Sequence, residues 1–88
     1  MDSSSVSSRS SIESAVLVHV AELVGREVAP SEPIISSGLV ESITAVLLIA
    51  FLEEQFGIEV PDEEIVFENF DSVDAIVALV DRLQADAG

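Results

Sequence analysis

The residue pattern of this chain specifies an all-α domain: a four-helix bundle of three main helices and one short helix, with a long connection between the first two. Three observations lead there. Apolar residues recur at spacings of three and four in three separate stretches, the period of a helix packed on one face. Glycine, proline and serine clusters fall between those stretches. Eighty-eight residues leave room for one small domain and no second.

Six of the first ten residues are Ser, so residues 1–10 are expected to be a flexible tail and residues 11–86 the folded domain. Ser10, with Glu13 three residues on, has the spacing of a capping box and marks the expected start of helix one. Ile12, Ala15, Val16, His19, Val20, Leu23 and Val24 then form one stripe that ends near Gly25. From Glu27 to Val40, Pro30 and Pro33 forbid a regular helix, and Ser36, Ser37 and Gly38 add turn chemistry. Ile34, Ile35 and Leu39 are expected to pin this connection to the core. Ser42 opens helix two, which Gly57 stops after Phe56. Pro61 and the carboxylates of Asp62, Glu63 and Glu64 suit the start of a short third helix, with Ile65, Val66 and Phe67 as its apolar contacts. Asp71 or Ser72 caps the last helix, which turns Val73, Ile76, Val77, Val80 and Leu83 inward.

Composition excludes several functions. There are 17 acidic residues against 3 basic ones, a formal net charge of -14. Nucleic-acid phosphates need clustered cations, and Arg9, Arg26 and Arg82 are few and scattered. Anionic membranes would repel the chain for the same reason. The absence of Cys removes thiol nucleophiles, thiolate metal sites and disulfides, and no metal site is expected. The nearly uncharged stretch from Ile43 to Leu52 is half the ~20 residues of a membrane span. No basic segment followed by an apolar core opens the chain, so the cytoplasm is the expected compartment. A single His19, on or beside the apolar stripe, reads as a packed residue and not as a catalytic base. The expectation is a monomer with no catalytic residues.

Helix two is the informative element. Ala45, Leu48, Ile49, Leu52 and Phe56 make a complete core stripe, yet Ile43, Leu47 and Ala50, with Glu54, occupy the other side and Phe51 lies near them. Full burial of both sides is hard to arrange in so small a bundle, so the second side reads as a partner patch. Ser42, at the start of this helix, follows a turn of small residues and the acidic Glu41. It either caps the helix or carries a covalent group beside the free backbone amides, which favour phosphate.

Gly38-Leu39-Val40-Glu41-Ser42-Ile43, the run from Phe51 through Glu64 and the closing Phe70-Asp71-Ser72-Val73-Asp74-Ala75-Ile76 resemble an acyl or peptidyl carrier protein, in order, over about residues 11–85. The resemblance implies that Ser42 receives the 4′-phosphopantetheine arm of coenzyme A from a phosphopantetheinyl transferase. It implies that the arm then holds biosynthetic intermediates as thioesters. Glu41 stands where the family usually has Asp, a residue associated with the metal ion used in that transfer. Ile43, Thr44, Leu47, Ala50, Glu53 and Glu54, together with Glu41, match the partner-recognition face. That face is less acidic than in fatty-acid carriers, which points to polyketide or nonribosomal peptide biosynthesis. The implied partners are the transferase, an acyltransferase or adenylation-type loading enzyme, and downstream synthase enzymes. The rival reading is an unmodified acidic adaptor that binds a basic partner through helix two. Asp62, Glu63 and Glu64 read as a solvated helix start, and Phe51, Phe56, Phe67 and Phe70 as core.

Overall fold

A computed structural model describes residues 3–87 of the chain. Its helices are α1 (Ser3–Val24), α2 (Ser42–Phe56), α3 (Phe67–Phe70) and α4 (Val73–Ala87), and a 3-10 turn spans Asp62–Glu64. The described residues contain no strand. This is the expected arrangement of three main helices, one short one and a long first connection.

The core forms where the stripes meet. Ile12, Val16 and Val20 of α1, Leu48 and Leu52 of α2, Phe70 of α3, and Val73, Ile76, Val77, Leu79 and Val80 of α4 are buried together. Helix α4 is the central strut, touching α1, α2 and α3. Ser72 caps it, its Oγ accepting the Ala75 amide at 3.1 Å, and Asp74 sits in its first turn where the dipole favours an anion. Gly57 closes α2 with φ of 64°, the left-handed geometry that glycine adopts without strain.

Three expectations need correction. Helix α1 does not start at Ser10 but at Ser3. No Gly or Pro interrupts residues 3–24, so a helix nucleated over the buried Ile12 to Val20 propagates backwards through the serines. Of the tail expected over residues 1–10, Met1 and Asp2 lie outside the described residues. The acidic segment after Pro61 forms the 3-10 turn instead of opening an α-helix, and the short helix comes later, at Phe67. Ile65, Val66 and Phe67 are therefore not core contacts: Phe67 is 53% exposed and its two predecessors over 40%. A four-residue helix can turn only one large side chain inward, and Phe70 takes that place. Arg82 and Asn69 tie the 3-10 turn down, donating to Glu64 Oε1 at 2.8 and 3.0 Å.

With so large a net negative charge, folding brings like charges together, and the fold is least stable at low ionic strength. Raising salt from about 10 to about 150 mM shortens the screening length from about 30 to about 8 Å. The thermal midpoint is expected to rise by several degrees in a salt titration followed by circular dichroism.

Candidate functional site

The site is built on the first turn of α2. Ser42 is the first helical residue, and the preceding cap position belongs to Glu41, whose backbone is extended and whose side chain makes no cap bond. Ser42 is thus not in the cap position, which was its plainest alternative role. The first-turn amides carry no side-chain cap from Glu41, leaving donors and the positive end of the helix dipole at the place where a phosphodiester would sit. The backbone here fits a phosphate-linked group on Ser42.

Along α2, Ile43, Val46, Leu47, Ala50 and Glu54 follow one another at helical spacing and are all exposed. Ile43 is 77% accessible and Leu47 58%. Glu41 is exposed beside this stripe and Thr44 is half-buried at its flank. Of the residues expected on the recognition face, Glu53 departs from the others. It is half-buried, and its Oε2 accepts the Val60 amide at 3.0 Å, which pins the connection after α2. Val46, 63% exposed, joins the stripe although the sequence reading passed over it. Its place between the core stripe and the outward stripe on the helical wheel was the available signal.

The long connection delivers Ser42. Ile34 and Val40 are buried, and the Val40 amide donates to the Ile34 carbonyl at 2.7 Å. Ile35 and Leu39 pack against the core, as expected. Arg26 pairs with Glu32, whose other carboxylate oxygen accepts the Ala29 amide at 3.1 Å. Asp71, taken from sequence only as a possible helix cap, proves to hold this connection from the α3–α4 corner. Partial burial alone would raise its carboxyl, but hydrogen bonds from the Ser36 amide and hydroxyl and the Ile35 amide hold it below the ordinary value of 3.8.

His19 of α1 stacks on Phe51 of α2, with ring centroids 3.7 Å apart and planes 4° from parallel. Phe56 meets Phe51 edge-on at 6.3 Å. The groove lined by His19, Phe51, Val18 and Gln55 is half a helical turn round α2 from Ser42, so it lies apart from the candidate site. Burial lowers the His19 pKa below 6.5, against a weaker upward pull from Glu22, and its Nε2 has no hydrogen-bond partner. The unfolded chain protonates His19 near 6.5 while the folded chain resists. The imidazole's contribution to stability is therefore full above that pH and lost as pH falls through the folded value. His19→Phe keeps the stack and removes the titration. Its thermal midpoint, compared with that of the parent, should gain on passing from pH 7.5 to pH 5.

Among the described residues no three His, Cys, Asp or Glu side chains gather closely enough to hold a metal ion. No helix among them is long and apolar enough to cross a membrane. Residues 14–80 match the family model described as the phosphopantetheine attachment site. The chain is 34% identical over 74 residues to D-alanyl carrier protein 1 of Lactiplantibacillus plantarum, covering 82% of this chain and 92% of that relative. It is likewise 34% identical over 71 residues to the D-alanyl carrier protein of Lactobacillus acidophilus, covering 78% and 90% respectively.

Proposed function

Because the chain belongs to the phosphopantetheine-attachment family of carrier proteins, we propose that Ser42 is the residue that bears the arm and that residues 11–86 form the carrier unit. The protein is a non-catalytic carrier with a covalently attached 4′-phosphopantetheine. When attached, the arm supplies the thiol that holds a cargo as a thioester. Carriers of this kind meet a phosphopantetheinyl transferase and loading or synthase enzymes.

The observation that carries the assignment is the place of Ser42 as the first residue of α2, outside the cap position, next to the exposed stripe from Ile43 to Glu54. The chain has 13 serines, and eight of them fall in the first fourteen residues. Ser36 and Ser37 spend their hydroxyls on Asp71 and the Pro33 carbonyl, and Ser72 caps α4. Ser42 opens a long helix that carries an adjoining exposed apolar stripe.

The exposed aliphatics Ile43, Val46 and Leu47, with Glu41 and Glu54 at the rim, fit an enzyme surface that is apolar at its centre and basic at its edge. Such a contact is small, so release is fast and the carrier, acting as a cytoplasmic monomer, passes from one enzyme to the next. The pathway is a dedicated one of the polyketide or nonribosomal peptide kind. Both relatives are named for D-alanyl cargo, which supports an aminoacyl group loaded by an adenylation-type enzyme over a polyketide chain.

The test is to isolate the protein from its own cells and weigh it intact before and after hydroxylamine, which cleaves thioesters. The expected result is a chain bearing the arm plus a cargo released as an amino-acid hydroxamate. A chain of unmodified mass, indifferent to hydroxylamine, would overturn the reading and favour the unmodified adaptor.

A further inference from the structure

Asp71 stands 29 residues after Ser42 in the chain, yet it organises the segment that leads into Ser42. Its backbone carbonyl accepts the Ile34 amide at 2.7 Å. Its Oδ1 accepts both the Ile35 and Ser36 amides at 2.8 Å, and its Oδ2 accepts the Ser36 hydroxyl at 2.9 Å. One residue thus takes four hydrogen bonds from three consecutive residues. A fifth link, from the Asp74 amide to the Pro30 carbonyl at 2.9 Å, closes the same junction. From there the order passes forward. The Gly38 amide donates to the Ile35 carbonyl at 3.0 Å, the Val40 amide to the Ile34 carbonyl at 2.7 Å, and the Ala45 amide to the Glu41 carbonyl at 2.9 Å. The side chains of Ile34 and Val40 are both buried, so the segment has an anchor at each end and the Asp71 clasp at its start.

Most of this connection is otherwise irregular backbone, containing Pro30, Pro33 and a Gly38 with φ of 87°. Without the clasp, Ile35 and Ser36 lose the acceptor for their amides and the segment gains freedom next to the modification site.

We infer that Asp71 is a positioning residue for phosphopantetheine transfer: its carboxylate fixes residues 34–40 and thereby presents Ser42 and the start of α2 to the transferase in one geometry. The inference rests on the assignment of Ser42 as the attachment residue. A carrier whose competent loop geometry is only partly populated binds its transferase more weakly in proportion to that fraction, and turns over normally once bound. The cost therefore appears in KM and not in kcat. Asn at position 71 keeps an oxygen for the two amides, and its NH2 can donate to the Ser36 hydroxyl. It should restore the geometry without the charge.

The experiment uses the full chain, coenzyme A and a broad-specificity phosphopantetheinyl transferase, with variants Asp71→Ala, Asp71→Asn, Ser36→Ala and Ser42→Ala, assayed well below each thermal midpoint. Asp71→Ala should raise KM about tenfold with kcat near the parent's, and Asp71→Asn should stay within about twofold. Ser36→Ala, which loses one bond and leaves the rest, should raise KM about twofold, and it carries the test if Asp71→Ala does not fold. Amide hydrogen exchange on the same proteins gives a readout that needs no transferase. Ile35, Ser36 and Val40 should lose protection in Asp71→Ala and keep it in Asp71→Asn. Unchanged exchange, an unchanged KM, or an Asn variant as impaired as the Ala variant would overturn the inference. Failure of the parent chain to accept the arm would instead overturn the Ser42 assignment, and the exchange result would still decide whether Asp71 orders the segment.

Discussion

Ser42→Ala is expected to abolish attachment of the 4′-phosphopantetheine arm altogether while leaving the fold intact. Alanine has no oxygen to form the phosphodiester, so the loss is complete and not a slowed rate. Stability should move by less than about 0.5 kcal/mol, because Ser42 lies at the first helical position and the cap position is Glu41's. Alanine is also the better helix former. A cap serine would behave differently: losing one costs about 1 kcal/mol. Intact mass and a thermal melt on one sample therefore separate the two roles. No other serine should compensate, since the remaining twelve lie outside the first turn of α2.

Leu48→Ala is expected to cost far more stability than any change on the exposed side of the same helix. Leu48 is fully buried, and truncating a buried leucine costs about 2–5 kcal/mol through lost burial and the cavity left behind. A domain of this length has about 4–13 kcal/mol in total. The variant should therefore sit near the edge of unfolding and accept the arm only in its folded fraction. Its neighbour Leu47 is 58% exposed and should behave in the opposite way. Leu47→Ala leaves the unfolding free energy within about 0.5 kcal/mol of the parent's. It should instead weaken binding to a loading enzyme by about 1–2 kcal/mol, as truncating an apolar anchor does. Chemical denaturation paired with a binding titration checks both. Equal effects of the two substitutions would contradict the division of α2 into a buried and a docking face.

The division of α2 into a buried and an exposed side was legible in the sequence because α2 has aliphatics on both sides, and only one side can be buried in a bundle this small. The end of α2 was legible too, since Gly57 has no Cβ and takes the left-handed cap geometry without strain. So was the inward face of α4, where the helical period is cleanest. The extent of α1 was not. Ser3 to Ser11 carry almost no apolar signal, and their helicity is inherited from the packed turns that follow. The exposure of Ile65, Val66 and Phe67 was hidden for the reverse reason. Three adjacent apolar residues look like core, but burial depends on which element they join, and here that element is a single turn. Glu53 and Asp71 show the commonest blind spot. A carboxylate that accepts a distant backbone amide looks, in sequence, like any surface charge.

The site itself was legible mainly through resemblance. Position alone favoured a cap for Ser42 over a modified residue, and the structure moves it out of the cap by giving that place to Glu41. The acidity gains a location as well. Glu41 and Glu54 edge the exposed stripe, whereas Glu53 and Glu64 are engaged internally, so the charge beside the stripe is smaller and more local than the net charge suggests.

The most direct measurement is to incubate the full chain with coenzyme A and a broad-specificity phosphopantetheinyl transferase, weigh it intact, and map the modified peptide. The account predicts a gain of one phosphopantetheine, carried by the peptide containing Ser42. No gain with several transferases, or a gain mapped to another serine, would contradict it.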